Sequence, residues 1–379
     1  MGEVTESPRR AGQQKVLWLC KGLGLGGAER IIALLGKEFE GRVCDIQVAY
    51  VLPHKDAFVS EIERSGHKVI CLTNPGDRWP VWWLRLWRLI RRERFDIVHT
   101  HSPLPAAVAR LCPVRGVRFV HTEHSAWPRY QPLTKLANSV TYARNTDVIG
   151  VSDAVVASIR RPHWVAPRAW PRIQRLYHGI DSESVSEASG ASRANARAEL
   201  DVDGELVVGT VASLTPKKNL AALIHSFGTL IAEGYDARLV VLGDGPLRRE
   251  LTELAERLLP PGTFQFMGAR ADAQQLLAAF DMFVLPSAEE GLGLALIEAL
   301  AAGVPGVATA VGGIPEVLAA GGGILVEPGS QTELDEAVLR LASERAFRLE
   351  MGSAGRQSAA RFEISAAATA TAELYSQGK

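Results

Sequence analysis

Short apolar runs recur along this chain, each followed by a longer stretch in which apolar residues return every three or four positions. In the first half the runs are VLWLC (16–20), DIQVAYV (45–51), KVICL (68–72), DIVHT (96–100), RFVHT (118–122), DVIGVS (147–152) and RLYHG (175–179). Runs this short and this continuously apolar predict strands covered on both faces, as in a parallel sheet. Intervening stretches such as AERIIALLGKEF and PLPAAVARL predict helices, so the first half reads as a doubly wound α/β domain. The rhythm stops at DSESVSEASGASRANA (181–196), which has no apolar period and predicts a linker. It restarts with VVGTVAS (207–213), RLVVLG (238–243), FQFMG (264–268), MFVLP (282–286), GVATA (306–310) and GILVE (323–327).

The expected organisation is a polar tail over 1–14, a first domain over 15–180, a linker over 181–204 and a second domain over 205–361. A terminal helix over 362–379 is expected to pack back on the first domain. At 379 residues each domain has enough chain to bury its own core. Composition narrows the functional classes. Lys plus Arg and Asp plus Glu both total 42, so no overall field recruits nucleic acid. Any anion must therefore be held by local geometry. Cys20, Cys44, Cys71 and Cys112 form no Cys-x-x-Cys pair and suggest neither a zinc site nor a disulfide framework. MGEVTESPRRAGQQ is polar and VLWLC is too short to cross a bilayer, so a cytoplasmic location is expected.

Candidate chemistry concentrates in PSAEEGLGLALIEALAAG (286–303). A strand ends, a loop with Gly291 and Gly293 follows, and a helix begins near Leu292. Open α/β sheets bind ligands beyond the carboxyl ends of their strands. A helix start there offers backbone N–H groups and the positive end of its dipole to a diphosphate. Glu298 lies one to two turns into the helix, and helical side chains lean toward the N-terminus, so its carboxylate reaches back toward a ligand. A carboxylate beside phosphate needs hydroxyl donors, and a ribose supplies two. Glu290 would meet the other end of the ligand. The competing reading, in which both are ordinary solvated or capping glutamates, stays open on this motif alone.

These residues, with VLPS before them and AAGVP after, resemble the retaining glycosyltransferases of the family 4 type, also called group 1. The likeness runs in order from GLGLGGAER (22–30) through GGIPE (312–316). It implies the GT-B fold: two Rossmann-like, doubly wound parallel-sheet domains facing across a cleft. It also implies a retaining transfer of a sugar from a nucleotide-diphosphate sugar to an acceptor. The position matching Glu298 holds the ribose, that matching Glu290 contacts the donor sugar, and the amides of Gly291, Leu292, Gly293 and Leu294 hold the diphosphate. In VASLTPKKN (211–219), Lys218 matches the lysine that neutralises the departing diphosphate, with Ser213 and Asn219 beside it. Ser213 replaces an arginine usual in the family, which removes one cation. His124 in VHTEHSAW matches a histidine that hydrogen-bonds the transferred sugar, which makes Glu290, His124 and Lys218 the expected catalytic residues. Gly26 and Gly27 match positions over the cleft, and Gly243 and Gly268 match loops around base and phosphates. HGID (178–181) matches a domain junction. No Asp-x-Asp motif stands at a strand end, so neither a metal nor any other cofactor is expected.

A dinucleotide-binding reading of the first glycine-rich turn is weak, because no acidic residue ends the second strand. A sugar-nucleotide epimerase or phosphorylase on the same architecture, and a non-catalytic sugar-nucleotide-binding relative, stay open. The acceptor is unidentified, with lipid-linked and saccharide classes both admissible. WPVWWLRLWRLIRRERF (79–95) spaces Arg85, Arg88 and Arg92 on one helical face and Trp79, Trp83, Trp87 and Ile90 on another. Such a helix either lies on an anionic membrane at the inner face or simply packs on the sheet.

Overall fold

The computed structural model describes residues 13–40, 44–77, 81–185 and 193–377. Residues 1–12 of the expected tail and 186–192 of the expected linker lie outside them. Every apolar run but one forms the strand expected of it. The first sheet contains β1 (Gln14–Cys20), β2 (Cys44–Tyr50), β3 (Lys68–Cys71), β4 (Ile97–Thr100), β5 (Arg118–Glu123), β6 (Asp147–Gly150) and β7 (Arg172–Arg175). The second contains β8 (Leu206–Val211), β9 (Ala237–Leu242), β10 (Phe264–Gly268), β11 (Met282–Leu285), β12 (Gly306–Thr309) and β13 (Gly323–Val326).

All paired strands are parallel, in the orders β3-β2-β1-β4-β5-β6-β7 and β10-β9-β8-β11-β12-β13. The chain therefore reverses its winding between β1 and β4, and again between β8 and β11. Helices leaving neighbouring strands there go to opposite faces, which opens a crevice at the carboxyl edge of each sheet. Helices cover both faces, so Val16, Leu17, Trp18 and Leu19 of β1 are all fully buried. That double coverage is why the central strands carry no alternation.

The exception is the last strand of the first sheet. The sequence predicts it at RLYHG (175–179); the strand is RIQR (172–175), largely exposed and paired only with β6. An edge strand has a solvated side and so lacks the continuous apolar signature. RLYHG leaves the sheet instead and carries His178 toward the cleft. At the junction Ile180 N donates to Phe362 O at 2.9 Å and Ile364 N donates to Ile180 O at 2.9 Å, tying the two crossing segments together. The expected linker 181–204 contains a helix, Arg193–Glu199. It packs on the second domain, where Arg193 donates to the carbonyls of Ala278 and Phe280.

The helix Ile364–Ser376 buries Ile364, Ala367, Ala368, Leu374 and Tyr375 in the core of the first domain. Large apolar side chains there contribute roughly 1.5–3 kcal/mol each. Tyr375 Oη accepts from Trp18 Nε1 at 2.9 Å and meets His99 Nδ1 at 2.5 Å.

The Trp-rich helix, Val81–Glu93, buries Trp82, Leu86 and Ile90; of the expected apolar face, Ile90 is in the core and Trp87 packs partly against it. Trp83 is 39% exposed, and Trp79 lies outside the described residues. Arg85 is turned inward, donating to Asp77 and to the Leu72 carbonyl. Among the described residues no helix is long and apolar enough to cross a membrane.

Candidate functional site

The loops after β1, β8 and β11 meet at one cavity of about 580 Å³ between the two domains. The first domain contributes Gly26, Gly27 and His124 to its wall. The second contributes Ser213, Lys218, Gly243, the run from Glu290 to Leu294, and Glu298. Asn219 and Gly268, expected to bind the donor, are not part of the wall. Asn219 adopts a left-handed backbone (φ 47°) that turns the chain from Pro216–Lys218 into the helix Leu220–Ala232. It thereby shapes the loop that presents Lys218. Gly268 accepts from Gly243 N at 2.7 Å and braces that turn from behind.

The glycines after β11 are required by close approach. Gly293 caps the helix Leu294–Ala301 with φ 89°, a conformation that favours glycine. A Cβ on Gly291 would stand 2.1 Å from the His124 carbonyl oxygen. The Gly291 carbonyl accepts from Ser152 Oγ at 2.8 Å, so the two domains touch at this turn. Glu316 reinforces the contact by accepting from Asp153 N and Ala154 N, at 2.9 and 3.2 Å, at the start of a first-domain helix.

Both expected carboxylates are in the cleft, and each already holds a cation. Glu290 Oε1 accepts from Lys218 Nζ at 2.5 Å and from Ser287 Oγ at 2.8 Å. Glu298, buried to 6% exposure, accepts from Gln274 Nε2 at 2.7 Å. Arg30 Nε lies 2.9 Å from its Oε1 across the cleft, close enough for an ion pair but not aligned as a hydrogen bond. Burial pushes the Glu298 carboxyl above its usual range, opposed by Arg30 and Gln274. Lys217 is 58% exposed and pairs with Glu289 at 3.2 Å.

Two imidazoles, His124 and His178, line the first-domain wall, and His101 and His99 lie buried beyond them. His124 is half-buried, with ring centroids 5.7 Å from His101 and 5.4 Å from His178. His101 Nδ1 lies 3.4 Å from His124 Nε2. Burial is the main cause lowering His99, His101 and His124 well below the usual histidine range, with neighbouring imidazoles adding to it. Burial alone brings His178 down to about 4. The loop carrying His124 is anchored one residue earlier. Glu123 accepts from Trp127 Nε1 at 2.7 Å, Tyr142 Oη at 3.0 Å and Tyr130 Oη. Burial alone would raise the Glu123 carboxyl, but His121 and these donors prevail and hold it at about 2.

Two family models tile the chain. The model described as "Glycosyltransferase Family 4" matches residues 25–184, and that described as "Glycosyl transferases group 1" matches residues 192–358. The D-inositol 3-phosphate glycosyltransferase of Corynebacterium urealyticum is 30% identical over 304 residues, covering 74% of this chain and 71% of that protein. The chain belongs to the family 4 glycosyltransferases. The N-acetyl-alpha-D-glucosaminyl L-malate synthase of Bacillus anthracis is 28% identical over 281 residues, 71% of each chain. The fold is GT-B: HepE of Anabaena, solved in complex with UDP and glucose, superposes with a TM-score of 0.82 at 22% identity. That match covers 96% of this chain and 100% of the other.

Several residues of this glycosyltransferase's cleft are not evident from the sequence. Arg30 stands one turn after Gly26 in a motif notable for its glycines, and its place in the first turn of a cleft helix was the available signal. Gln274 and His178 reach the wall only through the tertiary fold, while Ser287, inside the 286–303 motif, supports Glu290 from beside the wall.

Proposed function

We propose that this nucleotide-sugar-dependent glycosyltransferase is retaining, needs no metal ion, and acts on a saccharide or lipid-linked acceptor in cell-surface polysaccharide or glycolipid assembly. The single observation that carries the reading is the pairing of Lys218 with Glu290, and of Arg30 with Glu298, at the mouths of the two sheets. A nucleotide-sugar brings hydroxyls and a diphosphate together. Its hydroxyls can donate to the two carboxylates while its phosphates take the two cations, so both partners of each pair are satisfied by one ligand. The ribose belongs at Glu298 and the transferred sugar at Glu290.

Lys218, Arg30 and the start of the helix Leu294–Ala301 then face the charge that grows on the leaving diphosphate. That supply of positive charge supports independence from a metal. His124 orients the sugar, and closure of the cleft keeps out water that would hydrolyse it. The bond from the anomeric carbon to the diphosphate oxygen breaks as the acceptor oxygen bonds to that carbon. The hydroxyl proton passes to the departing phosphate. Retention of configuration rests on the family likeness.

A cytoplasmic site of action at the membrane's inner face belongs to the same reading. Trp83 and Leu84 are exposed on the helix Val81–Glu93, and Arg88, Arg91 and Arg92 are exposed along it, a composition suited to an anionic surface. Co-sedimentation with phosphatidylglycerol vesicles, reduced in Trp83→Ser and at 0.5 M salt, is the expected outcome; equal sedimentation of both proteins would remove this part.

Thermal shifts against UDP-glucose, UDP-N-acetylglucosamine, GDP-mannose and ADP-glucose identify the donor, because a ligand of the folded state raises stability by mass action. Glu298→Ala is expected to weaken binding of that donor by about ten- to thirtyfold, a loss typical of hydrogen bonds to a charged group. An unchanged dissociation constant would defeat the assignment.

A further inference from the structure

The first-domain wall of the cleft holds a polar side chain with nothing in the fold to satisfy it. His178 is 2% exposed, it lines the cavity, and neither Nδ1 nor Nε2 has a hydrogen-bond partner among the described residues. A buried polar group left unpaired costs roughly 1–3 kcal/mol, and such groups in folded proteins mark places where a ligand or water completes the bonding. His178 also sits in ring contact with His124, 5.4 Å between centroids. Next to them, His101 Nε2 is likewise buried without a partner.

The chemistry of the missing partner follows from the imidazole. A neutral ring offers one donor and one acceptor. A hydroxyl can meet either nitrogen, donating to one or accepting from the other, whereas an ionised phosphate offers only acceptors and can never meet the acceptor nitrogen. Burial keeps this ring neutral above about pH 4. The cations that line the cavity, Arg30, Lys217, Lys218 and Arg270, belong to the opposite chemistry. The cavity is thus zoned, with charge for the diphosphate and neutral imidazoles for hydroxyls.

We propose that His178 hydrogen-bonds a hydroxyl of the transferred sugar, beside His124, and so helps to select which sugar is accepted. The assignment rests on the function proposed above. Its test separates the sugar from the rest of the donor. Titration calorimetry compares UDP with UDP-glucose, and GDP with GDP-mannose, for the wild-type protein, His178→Phe and His178→Asn. The phenyl ring keeps the bulk and loses both polar atoms, while the amide keeps one donor and one acceptor.

His178→Phe is expected to weaken the nucleotide-sugar about tenfold, leave the free diphosphate unchanged and keep the melting temperature. His178→Asn is expected to stay within threefold of wild type. His178→Ala, which only removes atoms, repeats the comparison if the phenyl ring is not accommodated. Equal losses for diphosphate and nucleotide-sugar, or no loss for either, overturn the proposal. So does a loss of melting temperature with the affinity ratio intact, the signature of a purely structural histidine. A wild-type protein that binds none of the four nucleotide-sugars of the thermal-shift screen defeats the function itself, and the role of His178 with it.

Discussion

Lys218→Ala is expected to lower turnover at saturating donor by two to three orders of magnitude, because it removes the cation that the cleft brings to the departing diphosphate. Loss of one preorganised group facing transition-state charge typically costs that much. Lys218 is well placed to supply that charge, since its side chain is only 23% exposed and its ammonium is held at 2.5 Å by Glu290, itself fixed by Ser287. The same pairing predicts a side effect. Without Lys218 the Glu290 carboxylate, 10% exposed, keeps only neutral donors, so the variant loses some stability. Lys218→Ala/Glu290→Gln should recover that stability and none of the turnover. Lys217→Ala, which removes an exposed neighbour paired with Glu289, should change turnover less than threefold. Single-turnover kinetics with radiolabelled nucleotide-sugar checks all three. Turnover near wild type in Lys218→Ala would remove the lysine from the mechanism.

The contrast between these two adjacent lysines shows what sequence can and cannot resolve. VASLTPKKN places both at the same anion-facing turn, and only the family likeness, not any local physical signal, singles out Lys218. Both line the cavity, but the left-handed Asn219 and the contact of the Lys217 carbonyl with Ala288 N, at 2.8 Å, set the turn so that Lys218 reaches Glu290 while Lys217 pairs with the outer Glu289. The fold itself was legible because strands buried on both faces leave continuous apolar runs, and β1 and β11 are of that kind. β7 was displaced because an exposed edge strand, RIQR, leaves no such run. The helix Arg193–Glu199 reads as linker in the sequence because it buries only Ala196 and carries no apolar stripe.

The site divides the same way. Glu290, Gly291, Gly293 and Glu298 lie within one loop and helix, where spacing along the chain is spacing in space. Arg30, His178 and Gln274 reach the cavity from three separate places. Arg30 answers a question the sequence raised, since Ser213 lacks the cation usual in the family and the guanidinium across the cleft supplies one. The same ion pair links the domains. Glu298 belongs to the second and Arg30 to the first, so a ligand that exchanges their partners acts on the cleft as well as on the site.

The imidazole wall sets a pH limit on the protein itself. A histidine whose folded pKa is depressed binds its proton more readily in the unfolded chain, so stability rises with pH across the interval between the two values. For His178 that interval runs from 6.5 down to about 4. Within it each such histidine contributes a slope of about 1.4 kcal/mol per pH unit, and His178 alone costs roughly 3 kcal/mol once the pH is below 4. His99, His101 and His124 are displaced in the same direction by burial, and His124 less firmly because its ring is partly open to the cavity. Glu29 and Glu298 act in the opposite sense, since their raised carboxyls take up protons in the folded state. They are outnumbered by the four histidines. Glu123, held at about 2, adds to the loss only below pH 4.5. Urea unfolding at pH 7.5, 6.5, 5.5 and 5.0 should therefore show stability nearly constant above 7 and falling by several kcal/mol by pH 5. His178→Asn should flatten the slope by about one proton. A stability that stays level from pH 7 to 5 would show that these rings charge freely in the folded protein, and the neutral, hydroxyl-matching wall would not exist.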